Sequence, residues 1–148
     1  MGRAMGLDVG TKTIGVAISD PLRIAAHPDR TVARKGVKSD VAALMLIVAE
    51  KSVDYVVVGL PFELSGEELR SARLARQIGD GLGEASGLPV TYVDERFTTV
   101  EAERRMRENG TKAKKRRETI DQVAAALILQ SFLDHGDFTR ANEPGAGE

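Results

Sequence analysis

Apolar and small or polar positions alternate strictly at the start of the chain. Met5, Leu7 and Val9 fall on one face of an extended segment and Gly6, Asp8 and Gly10 on the other, so residues 3 to 9 read as a strand. Residues 14 to 19 form a second apolar run, and Gly10-Thr11-Lys12-Thr13 between them has turn composition, which predicts a hairpin. Ile24, Thr31 and Val32 mark a third extended stretch over residues 23 to 34, which Pro28 restricts to an edge or irregular strand. The period then changes. Beyond Ser39, a candidate N-cap, Val41, Leu44, Met45 and Val48 recur at helical spacing as far as about Lys51. Tyr55-Val56-Val57-Val58 is a short continuous apolar run ended by Gly59-Leu60-Pro61, as expected of a central strand covered on both faces.

Ser65 with Glu68 forms a capping-box pattern, and Leu69, Ala72, Ala75, Ile78 and Leu82 supply the buried stripe of a second helix to about Ala85, stopped by Ser86-Gly87. Pro89 to Val93 reads as another buried strand, ending in Asp94-Glu95-Arg96. A second capping box, Thr98 with Glu101, predicts a short charged helix to about Glu108, and Asn109-Gly110 then breaks the chain. Thr111 to Arg117 is mostly Lys and Arg and is expected to be a mobile loop. Thr119 with Gln122 resembles a third capping box before the nearly all-apolar run Val123 to Leu129, a core helix. The predicted order, β-β-β-α-β-α-β-α-α, gives an α/β domain: an antiparallel meander followed by alternating units that add parallel strands, with helices on both faces of a mixed sheet.

Length, at 148 residues, suits one domain that buries roughly 70% of its extended surface; residues 1–135 carry the pattern, and the glycine-containing tail 136–148 is expected to be disordered. With no cysteine, a disulfide framework, a thiolate nucleophile and a cysteine zinc site are excluded, and two histidines, His27 and His135, leave little for imidazole catalysis. No apolar run reaches the roughly 18 residues of a membrane span and no secretory h-region opens the chain, so a cytoplasmic protein without a membrane partner is expected. The formal net charge of −1 does not announce a nucleic-acid binder, but the basic residues are clustered.

Three acids stand where an uncharged residue would be easier to accommodate: Asp8 inside the first strand, Glu95 just past the last strand, and Asp121 at the start of the apolar helix. Asp121, Ala124, Ala125, Ile128 and Phe132 lie along one helix side, so Asp121 extends a buried stripe. Small residues on the Asp8 face leave room for a ligand. Each acid also has a bland reading: Asp8 as a turn former, Glu95 as a charged strand end, Asp121 as a carboxylate favoured by the helix dipole. Together, if the last helix packs near the strand ends, they would repel unless a divalent cation held them, and oxygen-only ligation suits Mg²⁺ or Mn²⁺.

GLDVGTKTIGVAISD at residues 6 to 20, DYVVVGLP at 54 to 61, YVDERFTTVEAE at 92 to 103 and TIDQVAAALILQSFL at 119 to 133 resemble, in order, four signatures of the YqgF/RuvX family of Holliday junction resolvases and pre-16S rRNA nucleases. The resemblance covers residues 3 to about 134 and implies a ribonuclease H-like fold, similar to that of the resolvase RuvC, with an acidic triad binding divalent metal. Matched motif by motif, the triad falls on Asp8, Glu95 and Asp121. One departure is visible: Thr13 stands where the family pattern often has Arg, so a phosphate contact there is either absent or supplied by Lys12.

The implied activity is metal-dependent phosphodiester hydrolysis, with two ions about 4 Å apart activating water and stabilising the leaving oxygen. Candidate nucleic-acid contacts are Lys12, Arg96, Arg104, Arg105 and Arg107, and, as a more one-sided cluster, Lys112, Lys114, Lys115, Arg116 and Arg117. Precursor 16S rRNA is the favoured substrate and branched DNA the alternative, with the ribosome as a further candidate partner and a monomer or homodimer equally open. Two other classes are weighed. A non-catalytic nucleic-acid or ribosome-associated module would keep the acids as structure only. The Asp-Val-Gly-Thr-Lys-Thr hairpin also resembles the first phosphate loop of the sugar kinase superfamily, but that fold needs a second domain for which this chain is too short.

Overall fold

Alternation along the first strand sets the layering. In the computed structural model, which describes residues 2–61, 70–95 and 114–135, β1 (Arg3–Val9) sends Met5, Leu7 and Val9 into one hydrophobic cluster and Ala4 into another. β2 (Thr13–Ser19) divides the same way: Ile14, Val16 and Ile18 join the first cluster, Ala17 the second. The central sheet is therefore covered on both sides.

β1 and β2 form the expected antiparallel hairpin, closed by the Gly10 N–H donating to the Thr13 carbonyl at 2.8 Å. β3 (Ala26–Ala33) pairs antiparallel with β2 at the edge of the sheet. The ladder shifts where Val16 faces Arg30 and Ala17 faces Pro28, so Asp29 is the extra residue of a bulge next to the proline that has no N–H to donate. β4 (Val53–Leu60) and β5 (Val90–Asp94) add in parallel on the other side of β1, giving the order β3-β2-β1-β4-β5. Val56 and Val58 of β4 enter one cluster and Val57 the other, which is why that strand is apolar at successive positions.

Helices α1 (Val37–Lys51) and α2 (Arg70–Ser86) cover the Met5 face. Leu44 and Ile47 of α1, and Ala72, Ala75, Ile78 and Leu82 of α2, are buried there with Val41, Met45 and Val48 at the margin. The start of α1 differs from expectation. The helix begins two residues before Ser39, with Gly36 at the N-cap and no side-chain cap, and it ends on Ser52 in the left-handed conformation. Asp40 is the acid of the first turn, and it accepts a hydrogen bond at 2.9 Å from the N–H of Lys35, which lies just ahead of the helix.

Helix α3 (Lys114–Asp134) covers the opposite face with Ala124, Ala125, Ile128, Leu129 and Phe132, so the apolar run of the sequence is a core helix as expected. Its start corrects the sequence reading. Lys114 to Arg117 belong to the first turn of this helix, not to a loop, and Thr119 lies inside it: lysine and arginine are good helix formers, and no glycine or proline separates them from the apolar run. The expected capping boxes at Ser65 and Thr98, the short charged helix, Thr111 to Ala113 and the tail from 136 onward lie outside the described residues. No helix of the described residues is long and apolar enough to cross a membrane.

Candidate metal centre

Glycines set the distance between α3 and the sheet. A Cβ on Gly6 would stand 2.7 Å from the Leu129 Cβ and 2.8 Å from the Ala125 carbonyl oxygen, and a Cβ on Gly15 would overlap the Asp121 carbonyl outright. On Gly59 it would run into Ile128. The space beside Asp8 that the sequence reading reserved for a ligand is thus filled at Gly6 by the helix itself. Glycine inside a strand weakens it, and here each one permits a close helix crossing.

Asp8 follows Gly6 on the same face and is 7 % exposed. Its cross-strand partner is Gly15, and on its other side the β1–β4 ladder ends at Leu7 opposite Val58, so Gly59 comes next. Each of the two glycines has an acidic residue against it. The main chain of Asp121 lies on Gly15, and the Cγ of Glu95 lies 3.4 Å from where a Cβ of Gly59 would stand. Glu95 directly follows β5 and is 2 % exposed. All three acids therefore sit on the α3 face at the carboxyl end of the parallel strands, the place where open α/β sheets take ligands.

The donors suit an oxygen-seeking divalent cation: carboxylates only, two of them buried, a situation that costs free energy unless the charge is compensated. They do not make a closed cage. Among the described residues no three Asp, Glu or His side chains form a group able to hold an ion by themselves, and Asp121 Oδ2 accepts a hydrogen bond from Thr13 Oγ1 at 2.5 Å. Mg²⁺ is ordinarily bound through one or two carboxylates, with waters and substrate phosphates completing the shell, so an open set of this kind fits it. The histidines are elsewhere. His27 pairs with Ile18 at the far end of β2 from Thr13, and His135 follows α3 roughly 20 Å from Asp121 at the helical rise per residue.

The Gly10–Thr13 turn is anchored by residues that the motifs did not single out. Arg34 donates through Nη1 to the Gly10 carbonyl at 2.9 Å and through Nε to Asp40 Oδ2 at 2.6 Å, while its own N–H donates to the Lys12 carbonyl at 2.9 Å. Asp40 is 1 % exposed. A polar residue on the inner side of a helix start was the available signal for this pair. Lys12 projects from the same turn and is exposed, free to meet a phosphate, whereas Thr13 is turned to Asp121. Of the other basic candidates, Arg96, Arg104, Arg105, Arg107 and Lys112 lie outside the described residues. For Lys114, Lys115, Arg116 and Arg117 the backbone alone is described, in the turn of α3 that precedes Asp121.

Residues 2–135 match the sequence profile of RuvX, described as Holliday junction resolvase. A protein of Koribacter versatilis named "Putative pre-16S rRNA nuclease" is 44% identical over 139 residues, which cover 94% of this chain and 91% of that protein. A Myxococcus xanthus protein of the same name is 47% identical over 132 residues, covering 89% and 87%. Among solved structures, Thermus thermophilus RuvC in complex with a Holliday junction superposes with a TM-score of 0.58 at 14% identity, over 94% of this chain and 98% of that one. The Fowlpox virus resolvase bound to junction DNA gives 0.54 at 12% identity, covering 90% and 97%. At these identities the likeness establishes the fold, a RuvC-like and ribonuclease H-like α/β sheet.

Proposed function

The chain belongs to the RuvX family, and from that premise we propose that it is a nuclease that hydrolyses phosphodiester bonds in precursor 16S rRNA with a divalent cation, Mg²⁺ or Mn²⁺, at Asp8, Glu95 and Asp121. The observation that carries the reading is the pair of buried acids, Asp8 and Glu95, on one sheet face at the carboxyl end of the strands, with the Asp121 main chain laid by α3 on Gly15, the cross-strand partner of Asp8. A bound divalent cation would supply Lewis acidity to the phosphoryl group and lower the pKa of water, so no imidazole base is needed. Asp8 and Glu95 would hold it and Asp121 would complete the shell. Lys12, on the exposed turn beside them, would neutralise a neighbouring phosphate, with Arg96, Arg104, Arg105 and the basic start of α3 extending the track.

The RNA substrate is supported by the name carried by relatives that are 44% and 47% identical along nearly the whole chain. A branched DNA substrate is supported by the description of the family profile. The cytoplasm and contact with the ribosome are the setting that the RNA reading implies. Cutting both strands of a junction would require two such sites in a symmetric dimer, whereas end trimming would not.

The test compares wild type with Asp8→Asn and Glu95→Gln on matched single-stranded precursor RNA and four-way junction DNA, with and without Mn²⁺. Wild type is expected to cleave the RNA only with the ion, and both variants to lose at least about 100-fold, the scale of removing a group that stabilises transition-state charge. Equal activity in wild type and variants, or none in any, would leave a binding module in place of an enzyme. Junction cutting with inert RNA would reassign the substrate.

A further inference from the structure

Thr13 is a neutral side chain that reaches the acid row. It occupies the first position of β2, on the same face as Gly15, and donates its hydroxyl to Asp121 Oδ2 across 108 residues of sequence. Two features fix where that hydroxyl stands. The Thr13 carbonyl closes the Gly10 turn, and that turn is held from behind by Arg34, itself locked to the buried Asp40. A β-branched side chain also has few χ1 choices. Asp121, by contrast, lies two turns into α3, where its main chain is pressed on Gly15, and an Asp side chain has two torsions, χ1 and χ2, that place its carboxylate.

We propose that Thr13 is a positioning residue of the metal centre: its hydroxyl takes one oxygen of Asp121 and thereby sets the carboxylate so that the other oxygen meets the cation. The inference rests on the metal-site reading above. A carboxylate that ligates a metal is commonly oriented by a hydrogen bond from a neighbour, and losing that neighbour weakens metal binding without removing a ligand. The alternative role, a tether that only pins α3 to the sheet, predicts a change in stability and none in ion affinity.

Calorimetric titration of the intact protein with Mn²⁺ alone distinguishes them, read beside the thermal midpoint in EDTA. Thr13→Val, which keeps the shape and removes the donor, is expected to weaken Mn²⁺ binding about 10-fold, the lower end of what loss of an orienting partner costs, and Thr13→Ser to restore it to within about 2-fold. In cleavage assays the same loss should appear as a higher Mn²⁺ concentration for half-maximal rate, with the rate at saturating ion changed less. Thr13→Ala serves as the second donor-free variant should Val crowd the turn. Asp8→Asn is the control: if wild type and Asp8→Asn bind Mn²⁺ alike, the metal-site reading falls and takes this inference with it. If binding depends on Asp8 while Thr13→Val and Thr13→Ala bind as wild type does, the assignment of Thr13 alone is overturned.

Discussion

Gly15 and Asp121 touch main chain to main chain: the Asp121 carbonyl fills the volume a side chain on Gly15 would need, and its neighbour Gln122 N stands 3.0 Å from the same point. Backbone cannot rotate out of the way. Gly15→Ala must therefore lift α3 from the sheet at Asp121, and is expected to cost about 3 kcal/mol, the upper part of the overpacking range. At Gly59 the obstacle is the Ile128 Cδ1 atom, the end of a flexible side chain, so Gly59→Ala should cost less, about 1 kcal/mol. Urea denaturation of the two variants gives the order. A Gly59→Ala penalty equal to or above that of Gly15→Ala would mean that the helix, not the side chain, adjusts.

Arg34 and Asp40 form an ion pair with 10 % and 2 % of their side chains exposed. Removing one member strands the other charge in a nearly dry site, so Asp40→Ala is expected to cost about 3 to 5 kcal/mol. Arg34→Met with Asp40→Ala should cost less than the sum of the single changes, because no charge is then left alone, although the Gly10 carbonyl and the Lys35 N–H lose their partners. A double-mutant cycle by chemical denaturation measures the difference. Additive penalties would show that the two side chains act separately.

The sheet was legible in the sequence because its signals are local. Period-two alternation around Leu7 and the unbroken run Val56 to Val58 follow from which faces are covered, and the proline from an edge position; the observed faces and strand order agree. The stripe Asp121 to Phe132 was legible for the same reason. Close approach was not: Gly15 and Gly59 carry no pattern of their own, and their meaning depends on a helix more than 60 residues further on. The same holds for Thr13, whose partner Asp121 is 108 residues away, so in its own motif it stands out only as the place where the family pattern often has Arg. The start of α3 was misplaced because a run of like charge reads as loop, although lysine and arginine favour helix.

Asp20 caps the turn between β2 and β3, accepting hydrogen bonds from the Ala25 and Ile24 N–H groups at 2.8 Å each. The Ala25 bond, foremost, holds its carboxyl below the ordinary value of 3.8. A depressed folded-state pKa adds stability above the unfolded value and loses it as pH falls through the folded one. Asp20→Ala should therefore melt below wild type at neutral pH, and the gap should close as pH drops beneath 3.8. Thermal melts across an acid series test this; a gap that persists at the lowest pH would assign the effect to turn geometry instead of charge.

Lys12 is exposed on a turn whose backbone is held by three hydrogen bonds, none of them from the Lys12 side chain, so replacing it should not disturb the fold. If it meets one phosphate, Lys12→Ala should reduce the slope of log affinity against log salt by about 0.7 to 0.9, the release of a single counterion from a single or double strand. Affinity should fall by a similar factor on every sequence offered. An unchanged slope with weaker binding would mean that Lys12 acts through shape and not through charge.

Divalent ions provide the last check, because binding to the folded state alone raises stability by an amount set by concentration. At 100 times its dissociation constant a single ion adds about 2.7 kcal/mol. Wild type in Mn²⁺ should thus melt several degrees above wild type in EDTA, the shift growing with the logarithm of ion concentration once sites fill. Asp8 and Glu95 are the buried members of the row, so Asp8→Asn or Glu95→Gln should abolish the shift while leaving the melt in EDTA cooperative. Asp121→Asn should diminish it less, since that carboxylate is only half-buried and already shares an oxygen with Thr13. A shift that survives the loss of Asp8 and Glu95 together would place the ion elsewhere on the molecule and remove the basis for metal-assisted cleavage at this end of the sheet.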